Sequence, residues 1–501
     1  MATVGSMAAA AIVVMGVVIN SRDKTIQCEV DARRASPAVD SAPAFVTAEL
    51  LKKHSTEDSL WVAVNGQVWD VTAFAAIHPG GAQVLIDNSG KDASKLFNGI
   101  HPPDTLKQQV DHVRLVGPLD PSLVKKPGQE RDEEQERIAA KRATLCGVDS
   151  VVSVPDFERY ARDLLTDDAW YYYSTGADAE HSMHDNMAAF QRVRFRPRVF
   201  RNVAEPDTST TILGVPSAIP IYVSPTARNG LGQPDGEVAV TRGAADAGIM
   251  QVVSHYASKS FDEIAAAAKE GQKIGWQVYL HPDRENSAKA IKHAVELGAA
   301  SIWITADTAI LGKRERERHM HTKREEIPHG TPMSRVKKTY ATHDPSITWD
   351  DIAWVKSLAP GLPIIVKGIG AWEDVVLAKQ YGADAVVLSN HGGRQLDTAA
   401  SPLKTLYDLH QNRPDLLHKA GLEVYIDGGI TRGTDVLKAL CLGARAVGLG
   451  RPFIYAATGW GSEGVEKAVM ILQEEMDIGM KLLGVTRLDQ LGPEYLDCSK
   501  L

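Results

Sequence analysis

A histidine and an arginine lie close together in one short stretch of the sequence. The histidine could take a proton from an acid whose carboxylate the arginine binds. The segment VVLSNHGGRQLD, Val386–Asp397, passes directly from apolar residues into a histidine, two glycines and an arginine. A carboxylate such as Asp307, which ends the apolar segment SIWITAD, would orient His391 and make it a base. Arg394 could hold a carboxylate by two parallel hydrogen bonds. The alternative is a plain glycine turn, which residues 390–393 would also form.

Polar residues end other apolar segments as well, and together they favour a flavin site. Two glycine-containing loops, DGGITRGTD and GLGRPF, offer backbone N–H groups together with Arg432 and Arg451, a combination that binds phosphate. Lys367 could place its positive charge beside a cofactor ring that gains electrons. Flavin mononucleotide (FMN) would use the phosphate contacts and the ring contacts together. The residues at the segment ends are Thr226, Ser254, Gln277, Tyr279, Thr305, Asp307, Lys367, His391, Arg394, Asp427, Gly450 and Arg451.

Eight apolar segments, each followed by an amphipathic or alanine-rich stretch, would position these residues. This order indicates a protein of the α/β class with a (β/α)₈ barrel, whose active site lies where the carboxyl ends of the strands meet. His391 would then lie at the mouth of the barrel, after the sixth strand. The predicted strands are 219–224, 248–254, 274–280, 301–307, 362–368, 385–391, 423–429 and 446–452.

A second candidate site lies nearer the N-terminus. His78 precedes Pro79-Gly80-Gly81, and His101 precedes two prolines, with a helical-looking segment between the two histidines. Two neutral imidazoles on opposite loops, facing an apolar gap, could hold a haem iron by both axial positions. Zinc would require further ligands, and none is suitably spaced. Two turn histidines fixed by the adjacent prolines are the alternative.

Changes in composition divide the chain into four parts. Residues 1–40 form a tail with an apolar run, 41–118 a compact domain, 119–150 a charged linker or exposed helix, and 151–501 the barrel. Within the compact domain, Asn65-Gly66 is a hairpin signal between two short strands. The net charge of −8 argues against nucleic acid as a partner. The four cysteines are far apart and form no CxxC pair, so neither a disulfide framework nor a zinc site is expected.

The two ends of the sequence carry possible targeting signals that disagree. Residues 7–19 are a 13-residue apolar run, shorter than the ~20 residues that span a bilayer and without a preceding Lys or Arg. A targeting or anchoring segment and a dispensable tail are both compatible with it. Ser499-Lys500-Leu501 is the peroxisomal signal SKL. The peroxisome is the expected location, and the mitochondrial intermembrane space is the alternative.

Longer motifs resemble known families. WVAVNGQVWDVTAF, HPGG and the second His-Pro pair resemble cytochrome b5, a small α+β haem domain. From about Val151 to Leu496 the chain resembles the FMN-dependent L-2-hydroxy-acid dehydrogenases and oxidases, through YYSTGA, SNHGGRQLD, KALCLGARAVGLGRPF and LLGVTRLDQL. The combination is similar to the flavocytochrome b2 class. It implies FMN and haem b as cofactors, a small 2-hydroxy acid as substrate, cytochrome c or another one-electron acceptor as partner, and a homotetramer.

The resemblance also implies roles for individual residues. His391 would be the catalytic base and Asp307 its partner, while Tyr172 and Arg394 bind the substrate carboxylate. Tyr279 would hydrogen-bond the substrate hydroxyl, and Arg314 would be a second arginine near the substrate. His78 and His101 would bind the haem iron. The expected FMN-binding residues are Pro225, Thr226, Ser254, Gln277, Thr305, Lys367, Asp427, Gly428, Gly429, Arg432, Gly450 and Arg451.

Four features depart from the family pattern. Thr431 replaces an arginine that usually meets the phosphate, which leaves open whether Arg432 substitutes for it. Pro225 removes a backbone donor that could reach the flavin. Tyr256 stands where the lactate enzymes have a leucine and is expected to narrow the pocket. The sequence lacks the longer tail of the yeast-type enzymes.

The charged segment 311–347 is either a loop over the active site or a solvated insertion.

Three functions are compatible with the sequence. The leading hypothesis is FMN-dependent oxidation of a small (S)-2-hydroxy acid, L-lactate first, with electrons passed through haem to an acceptor. The second is an oxidase that uses oxygen, which the SKL tripeptide favours. The third is a non-catalytic haem carrier with a decayed barrel, which the presence of His391, Asp307 and Arg394 disfavours.

Overall fold

A computed structural model describes most of the chain after residue 44. The apolar run 7–19 and His101 lie outside the described residues. No helix in the described part is both long and apolar enough to cross a bilayer. The described residues are 45–78, 82–98, 105–108, 112–123, 133–324, 343–418 and 421–501.

The first domain is a four-stranded antiparallel sheet with short helices. Its hairpin turns at Asn65 and Gly66, whose φ angles of 52° and 77° are those of a tight two-residue turn, as the sequence predicts. An isolated bridge between Val46 and Leu119 extends this domain one residue beyond its predicted end, and both side chains are buried. The elements are α1 (Ala48–Lys53), β1 (Ser55–Thr56), β2 (Ser59–Val64), β3 (Gln67–Asp70), α2 (Ala82–Asn88), α3 (Ser94–Asn98), α4 (Thr105–Gln108) and β4 (Arg114–Pro118).

The charged segment that follows contains a helix, α5 (Glu133–Ala143), which binds to the barrel domain. The Arg137 guanidinium donates hydrogen bonds to the carbonyls of Asp163 at 2.8 Å and Leu165 at 3.0 Å. The indole of Trp460 donates to the carbonyl of Cys146 at 2.9 Å. The second half of the predicted linker is therefore held against the barrel domain.

Eight parallel strands close into a barrel, so the predicted fold class is confirmed. Each predicted strand overlaps one observed strand, and the fifth observed strand ends at Ile369, one residue beyond its predicted bound. Around the barrel the order follows the chain, and the last strand pairs with the first. The barrel strands are β8 (Ile221–Val223), β9 (Met250–Val253), β10 (Ile274–Val278), β11 (Ser301–Thr305), β12 (Ile364–Ile369), β13 (Ala385–Leu388), β14 (Glu423–Asp427) and β15 (Ala446–Leu449). The other strands of this domain are β5 (Arg194–Phe195), β6 (Thr210–Ile212), β7 (Val215–Ser217) and β16 (Leu496–Asp497).

Helices surround the barrel, and α18 changes direction at Trp460 and Gly461, whose backbone angles are not helical. They are α6 (Val154–Leu164), α7 (Asp167–Ser174), α8 (His181–Arg192), α9 (Glu237–Asp246), α10 (Phe261–Ala267), α11 (Arg284–Glu296), α12 (Glu315–Arg324), α13 (Asp351–Leu358), α14 (Trp372–Gln380), α15 (Pro402–Asn412), α16 (Asp415–His418), α17 (Gly433–Cys441) and α18 (Arg451–Leu483).

Large side chains fill the amino-terminal half of the barrel interior. Trp303 stacks on Tyr425 with ring centroids 5.9 Å apart, and Tyr222 lies 5.1 Å from Trp303. Ile212 of the β6–β7 hairpin packs against the same cluster. Because this part is a packed core, polar chemistry is confined to the opposite rim, where the strands end.

Candidate active site

The histidine of the SNHGG segment meets its predicted carboxylate. His391 follows β13 and Asp307 follows β11, and the His391 Nδ1 lies 2.9 Å from the Asp307 Oδ1. His391, Gly392 and Gly393 all have positive φ, so the chain turns sharply here. A side chain at Gly393 would collide with the backbone of Met183, 2.5 Å from the position of a Cβ atom. The glycines therefore form a turn that also aims His391 into the site.

Asp307 is held in its ionised form. Burial alone would raise its pKa, but His391, the Lys367 ammonium and a hydrogen bond from Thr308 together keep the pKa of Asp307 below its usual range. The Thr308 hydroxyl donates to the Asp307 Oδ1 at 2.9 Å and lies 3.5 Å from the His391 Nδ1. With Nδ1 directed at the carboxylate, His391 presents Nε2 as its basic nitrogen.

The residues predicted to hold the substrate carboxylate lie together at the end of α7. The Arg394 guanidinium donates to the carbonyls of Tyr172 at 2.7 Å and Thr175 at 2.9 Å, so the last turn of the helix fixes it. Burial and the neighbouring Arg314 lower the pKa of Arg394 to about 9, which still leaves it charged at neutral pH. The guanidinium carbons of Arg394 and Arg314 lie 5.3 Å and 5.7 Å from the centre of the Tyr172 ring.

Two further groups complete the substrate side. Burial and the nearby Asp307 raise the pKa of Tyr279, so its hydroxyl remains a protonated donor. The Nε atom of Arg314 is buried without a hydrogen-bond partner among the described residues, and the guanidinium lies 3.7 Å from Glu317. Arg314 can therefore still donate to a bound anion.

The predicted flavin-ring residues form a row along neighbouring strand ends. Gln277 donates from Nε2 to the Thr305 hydroxyl at 2.9 Å and accepts from the His255 amide at 3.0 Å. Thr305 and Lys367 are paired neighbours in β11 and β12. Ser254 accepts a hydrogen bond from the Tyr256 amide at 3.2 Å. The barrel register thus brings together residues that are far apart in sequence.

At the other end of this row lies a buried ion pair. The Lys367 Nζ is 3.1 Å from the Asp427 Oδ2, and it donates to the Ser389 hydroxyl at 3.0 Å. Burial would lower the pKa of Lys367, but Asp427 and Asp307 raise it above its usual value. The Asp427 Oδ1 is buried without a hydrogen-bond partner among the described residues. An additional donor, such as a hydroxyl of a bound molecule, would satisfy it.

The predicted phosphate side is built from backbone rather than from arginines. Gly428 and Gly429 have φ angles of 93° and 82°. Gly450 immediately precedes α18, but Pro452 has no N–H group and the Phe453 and Ile454 amides both donate to the Gly450 carbonyl, at 3.1 and 3.3 Å, so of these first residues only Arg451 could offer its N–H group to an anion. Arg451 instead donates to the carbonyls of Tyr173, Gly392 and Thr175 at 2.8 to 3.0 Å.

Arg432 does not take over the role of the arginine that Thr431 replaces. Its guanidinium pairs with Glu475 of α18 at 2.8 Å and is half exposed. The structure therefore does not bring the Arg432 side chain to the flavin side, contrary to the prediction from sequence. Partners from distant helices determine the direction of both Arg432 and Arg451.

In the first domain, His78 occupies a position suited to a metal ligand. It is buried directly after the 3₁₀ turn Ala75–Ile77, and its ring lies edge-on to Phe74 at 5.5 Å. The adjoining apolar cluster contains Leu60, Val62 and Val71. An imidazole at the edge of an apolar core fits an axial haem ligand.

Comparison with known families identifies both domains. The FMN-dependent dehydrogenase model matches residues 161–498, and the cytochrome b5-like haem/steroid binding domain model matches residues 47–120. This chain belongs to the FMN-dependent dehydrogenase family. It is 41% identical to an L-lactate dehydrogenase (cytochrome) of Wickerhamomyces anomalus over 464 residues, which are 90% of this chain and 80% of that protein.

A protein of known structure and an oxidase are also similar in sequence to this FMN-dependent dehydrogenase. The recombinant flavin-binding domain of baker's yeast flavocytochrome b2 is 40% identical, with a TM-score of 0.69 over 74% of this chain and 92% of that one. A peroxisomal (S)-2-hydroxyacid oxidase of Arabidopsis thaliana is 36% identical over 69% of this chain and 96% of that protein. The cytochrome-type relative thus matches both domains, whereas the oxidase matches a shorter part of the chain.

FMN and haem b are the cofactors of this FMN-dependent dehydrogenase. The site fits FMN, since the buried Oδ1 of Asp427 has no hydrogen-bond partner among the described residues and the nearby Lys367 is charged. Pro225 has no backbone N–H group to offer to the flavin at the end of its strand. Tyr256 lies nearly parallel to Tyr279, with ring centroids 5.3 Å apart. His78 fits the haem, while the second predicted ligand lies outside the described residues.

Reasoning from the sequence missed four residues of the site. Thr308 could have been found, because a hydroxyl directly after a proposed catalytic carboxylate is a simple hydrogen-bonding candidate. Asn186 and Asn390 exchange two amide hydrogen bonds at 2.8 and 2.7 Å and tie α8 to the His391 turn. His343, near the end of the charged segment 311–347, lies in no sequence motif that indicates a role in the site.

Proposed function

We propose that this chain is a cytochrome-type L-lactate dehydrogenase. It would oxidise L-lactate, a small (S)-2-hydroxy acid, to the 2-oxo acid and pass the electrons singly through haem b to cytochrome c. The observation that supports this best is the 2.9 Å contact between His391 and Asp307, with Arg394 and Tyr279 at the same rim. A haem domain on the same chain supports a one-electron acceptor.

The residues suggest how the substrate is held and activated. Arg394 and Tyr172 bind the carboxylate, and Tyr279 donates a hydrogen bond to the 2-hydroxyl. One C–H bond and one O–H bond break and C2 becomes a carbonyl carbon; one hydrogen passes as a proton to Nε2 of His391, and the other hydrogen and the two electrons would be accepted by FMN. Asp307 stabilises the imidazolium that forms. FMN supplies a two-electron acceptor for the substrate and a one-electron donor for the haem.

Lys367 and Arg314 would stabilise charge at two places. Lys367 is buried and paired, so its ammonium remains charged where the flavin ring gains electron density. Arg314, with its unsatisfied Nε, would donate to the substrate as negative charge develops on its oxygens. Both effects are strongest in a site shielded from water.

The charge of the haem domain supports a basic protein as acceptor. Residues 45–123 contain nine acidic and six basic side chains. Opposite charge accelerates encounter between electron-transfer partners, and the rate then falls as salt is added. Cytochrome c is the proposed partner on this ground and on the names of the cytochrome-type relatives.

One set of spectra distinguishes the dehydrogenase from its alternatives. Anaerobic addition of L-lactate should bleach the flavin and then produce the bands of reduced haem, which cytochrome c reoxidises. An oxidase, the second candidate given the oxidase relatives, would bleach its flavin and form peroxide in air while the haem stays oxidised. Absence of any flavin change would contradict the proposed function.

We propose a peroxisomal location on the basis of Ser499-Lys500-Leu501, with the mitochondrial intermembrane space as the alternative. Ser499 and Lys500 are exposed, whereas Leu501 packs against the barrel core, so recognition would require this segment to detach. Since the signal is read with its free carboxylate, a tag fused after Leu501 should release the protein from peroxisomes. A mitochondrial signal from both tagged and untagged protein would contradict the peroxisomal location.

A homotetramer is also proposed, because large apolar side chains lie on the surface of the chain. Phe200 is fully exposed and adopts a φ of 58°, a conformation that costs an aromatic residue energy unless contacts compensate. Met470, Ile478 and Leu482 are exposed along one side of α18. Light scattering should therefore give four times the chain mass, and Phe200→Ser should reduce it.

A further inference from the structure

Three rings from separate parts of the chain form one wall beside the substrate-binding groups. Tyr256 follows β9, Tyr279 follows β10, and His343 lies where the charged segment returns to the barrel. Tyr256 and Tyr279 stack with centroids 5.3 Å apart and planes at 19°. The His343 ring meets Tyr279 edge-on at 4.6 Å and Tyr256 at 5.8 Å. We name these three residues the ring wall.

His343 is fixed in this wall by its neighbour in sequence. The Asp344 amide donates to the Leu280 carbonyl at 2.9 Å, directly after Tyr279. The Asp344 carboxylate pairs with Arg284 at 2.8 Å, and that arginine also pairs with Asp351 of α13 at 2.8 Å. Because Asp344 is anchored by both its amide and its carboxylate, the adjacent His343 is held against Tyr279.

The wall is polar although it is buried. His343 is 5% exposed, and burial together with the nearby His391 and Arg314 lowers its pKa to about 4. The imidazole is therefore neutral at physiological pH, with one N–H donor and one acceptor nitrogen. Tyr256 carries a phenol at a position where a leucine would offer only methyl groups.

The ring wall lies next to the groups proposed to hold the carboxylate and the hydroxyl of the substrate, since Tyr279 belongs to both the wall and these groups. The carboxylate belongs with Arg394 and Tyr172, and the hydroxyl with Tyr279 and His391. Tyr256 and His343 flank Tyr279 and take part in neither contact. These two polar rings are therefore placed to contact the remaining part of the substrate, the side chain of the hydroxy acid.

We infer that, among short 2-hydroxy acids with a side chain longer than that of L-lactate, the ring wall favours those that carry a hydroxyl group on C3, of which L-glycerate is the simplest. This inference rests on the proposed function and names a substrate class for the same site. A site that hydrogen-bonds a substrate hydroxyl discriminates against the analogue without it, because the polar groups of the site are then left unpaired. An aliphatic pocket would have the opposite preference.

The test compares two substrates of equal size. L-Glycerate and L-2-hydroxybutanoate differ only by a hydroxyl in place of a methyl group at the end of the side chain. The wild-type holoenzyme should have a kcat/KM about tenfold higher for L-glycerate. His343→Leu should remove most of that preference, and His343→Asn, which retains a donor and an acceptor, should restore part of it. His293→Gln, an exposed histidine on α11, is the matched control and should leave the ratio unchanged.

The outcomes separate this inference from the proposed function. A wild-type preference for L-2-hydroxybutanoate would overturn the inference, and so would an unchanged ratio in a His343→Leu protein that still binds FMN. The wild-type comparison decides alone if that variant does not fold. A wild-type flavin that no 2-hydroxy acid reduces, L-lactate included, would instead overturn the proposed function.

Discussion

His391→Gln is expected to keep FMN but to lose at least about a thousandfold in the rate of flavin reduction by L-lactate. Glutamine can occupy the space and hydrogen-bond to Asp307, but it cannot take the proton that leaves the substrate. The carboxylate site at Arg394 and the flavin row at Gln277 and Lys367 make no contact that requires an imidazole. Stopped-flow absorbance of the flavin measures the loss directly, without interference from the haem acceptor.

The matched control is His184→Gln, an exposed histidine on α8. It should reduce flavin at the wild-type rate, because its side chain is outside the barrel rim. Near wild-type reduction by His391→Gln, with full FMN content, would show that His391 is not the base. A loss of FMN from the variant would mean that the turn at Gly392 and Gly393 depends on the histidine, and flavin reduction should then be measured after FMN is added back.

The rim of the barrel was predictable because parallel strands align their carboxyl ends. Asp307 and His391 are 84 positions apart, yet β11 and β13 are separated by a single strand and end at the same level. Apolar runs identified the strands, and the residue after each run was then placed by topology alone. The same logic brought Thr305 beside Lys367, since the two are paired in the observed register.

The directions of long side chains were not predictable in this way. Arg432 turns to Glu475, which lies 43 positions later on the second half of α18. Arg451 turns to carbonyls at the end of α7 and in the His391 turn. A guanidinium can reach several acceptors from one backbone position, so packing between helices decides among them. His343 escaped prediction for a related reason, because its contacts with Tyr256 and Tyr279 exist only in three dimensions.

His78→Ala is expected to abolish reduction of cytochrome c while the flavin still accepts electrons from L-lactate. His78 is buried beside Phe74, and its loss would remove an axial nitrogen from the haem iron. The apolar clusters around Val62 and Val68 consist of residues 46–123, and the barrel has its own core. FMN binding and the first half of the reaction should therefore survive, as a small artificial acceptor that takes electrons from the flavin would reveal.

Comparison of cytochrome c with the artificial acceptor shows whether the haem carries electrons from the flavin. His112→Gln, an exposed histidine of the same domain, should keep the haem spectrum and both activities. In His78→Ala the haem bands should disappear or change from those of six-coordinate iron, and cytochrome c reduction should fall to background with the artificial acceptor unaffected. If a haem-free His78→Ala protein reduced cytochrome c at the wild-type rate, the electrons would be leaving directly from the flavin. The haem domain would then not be the relay between FMN and cytochrome c.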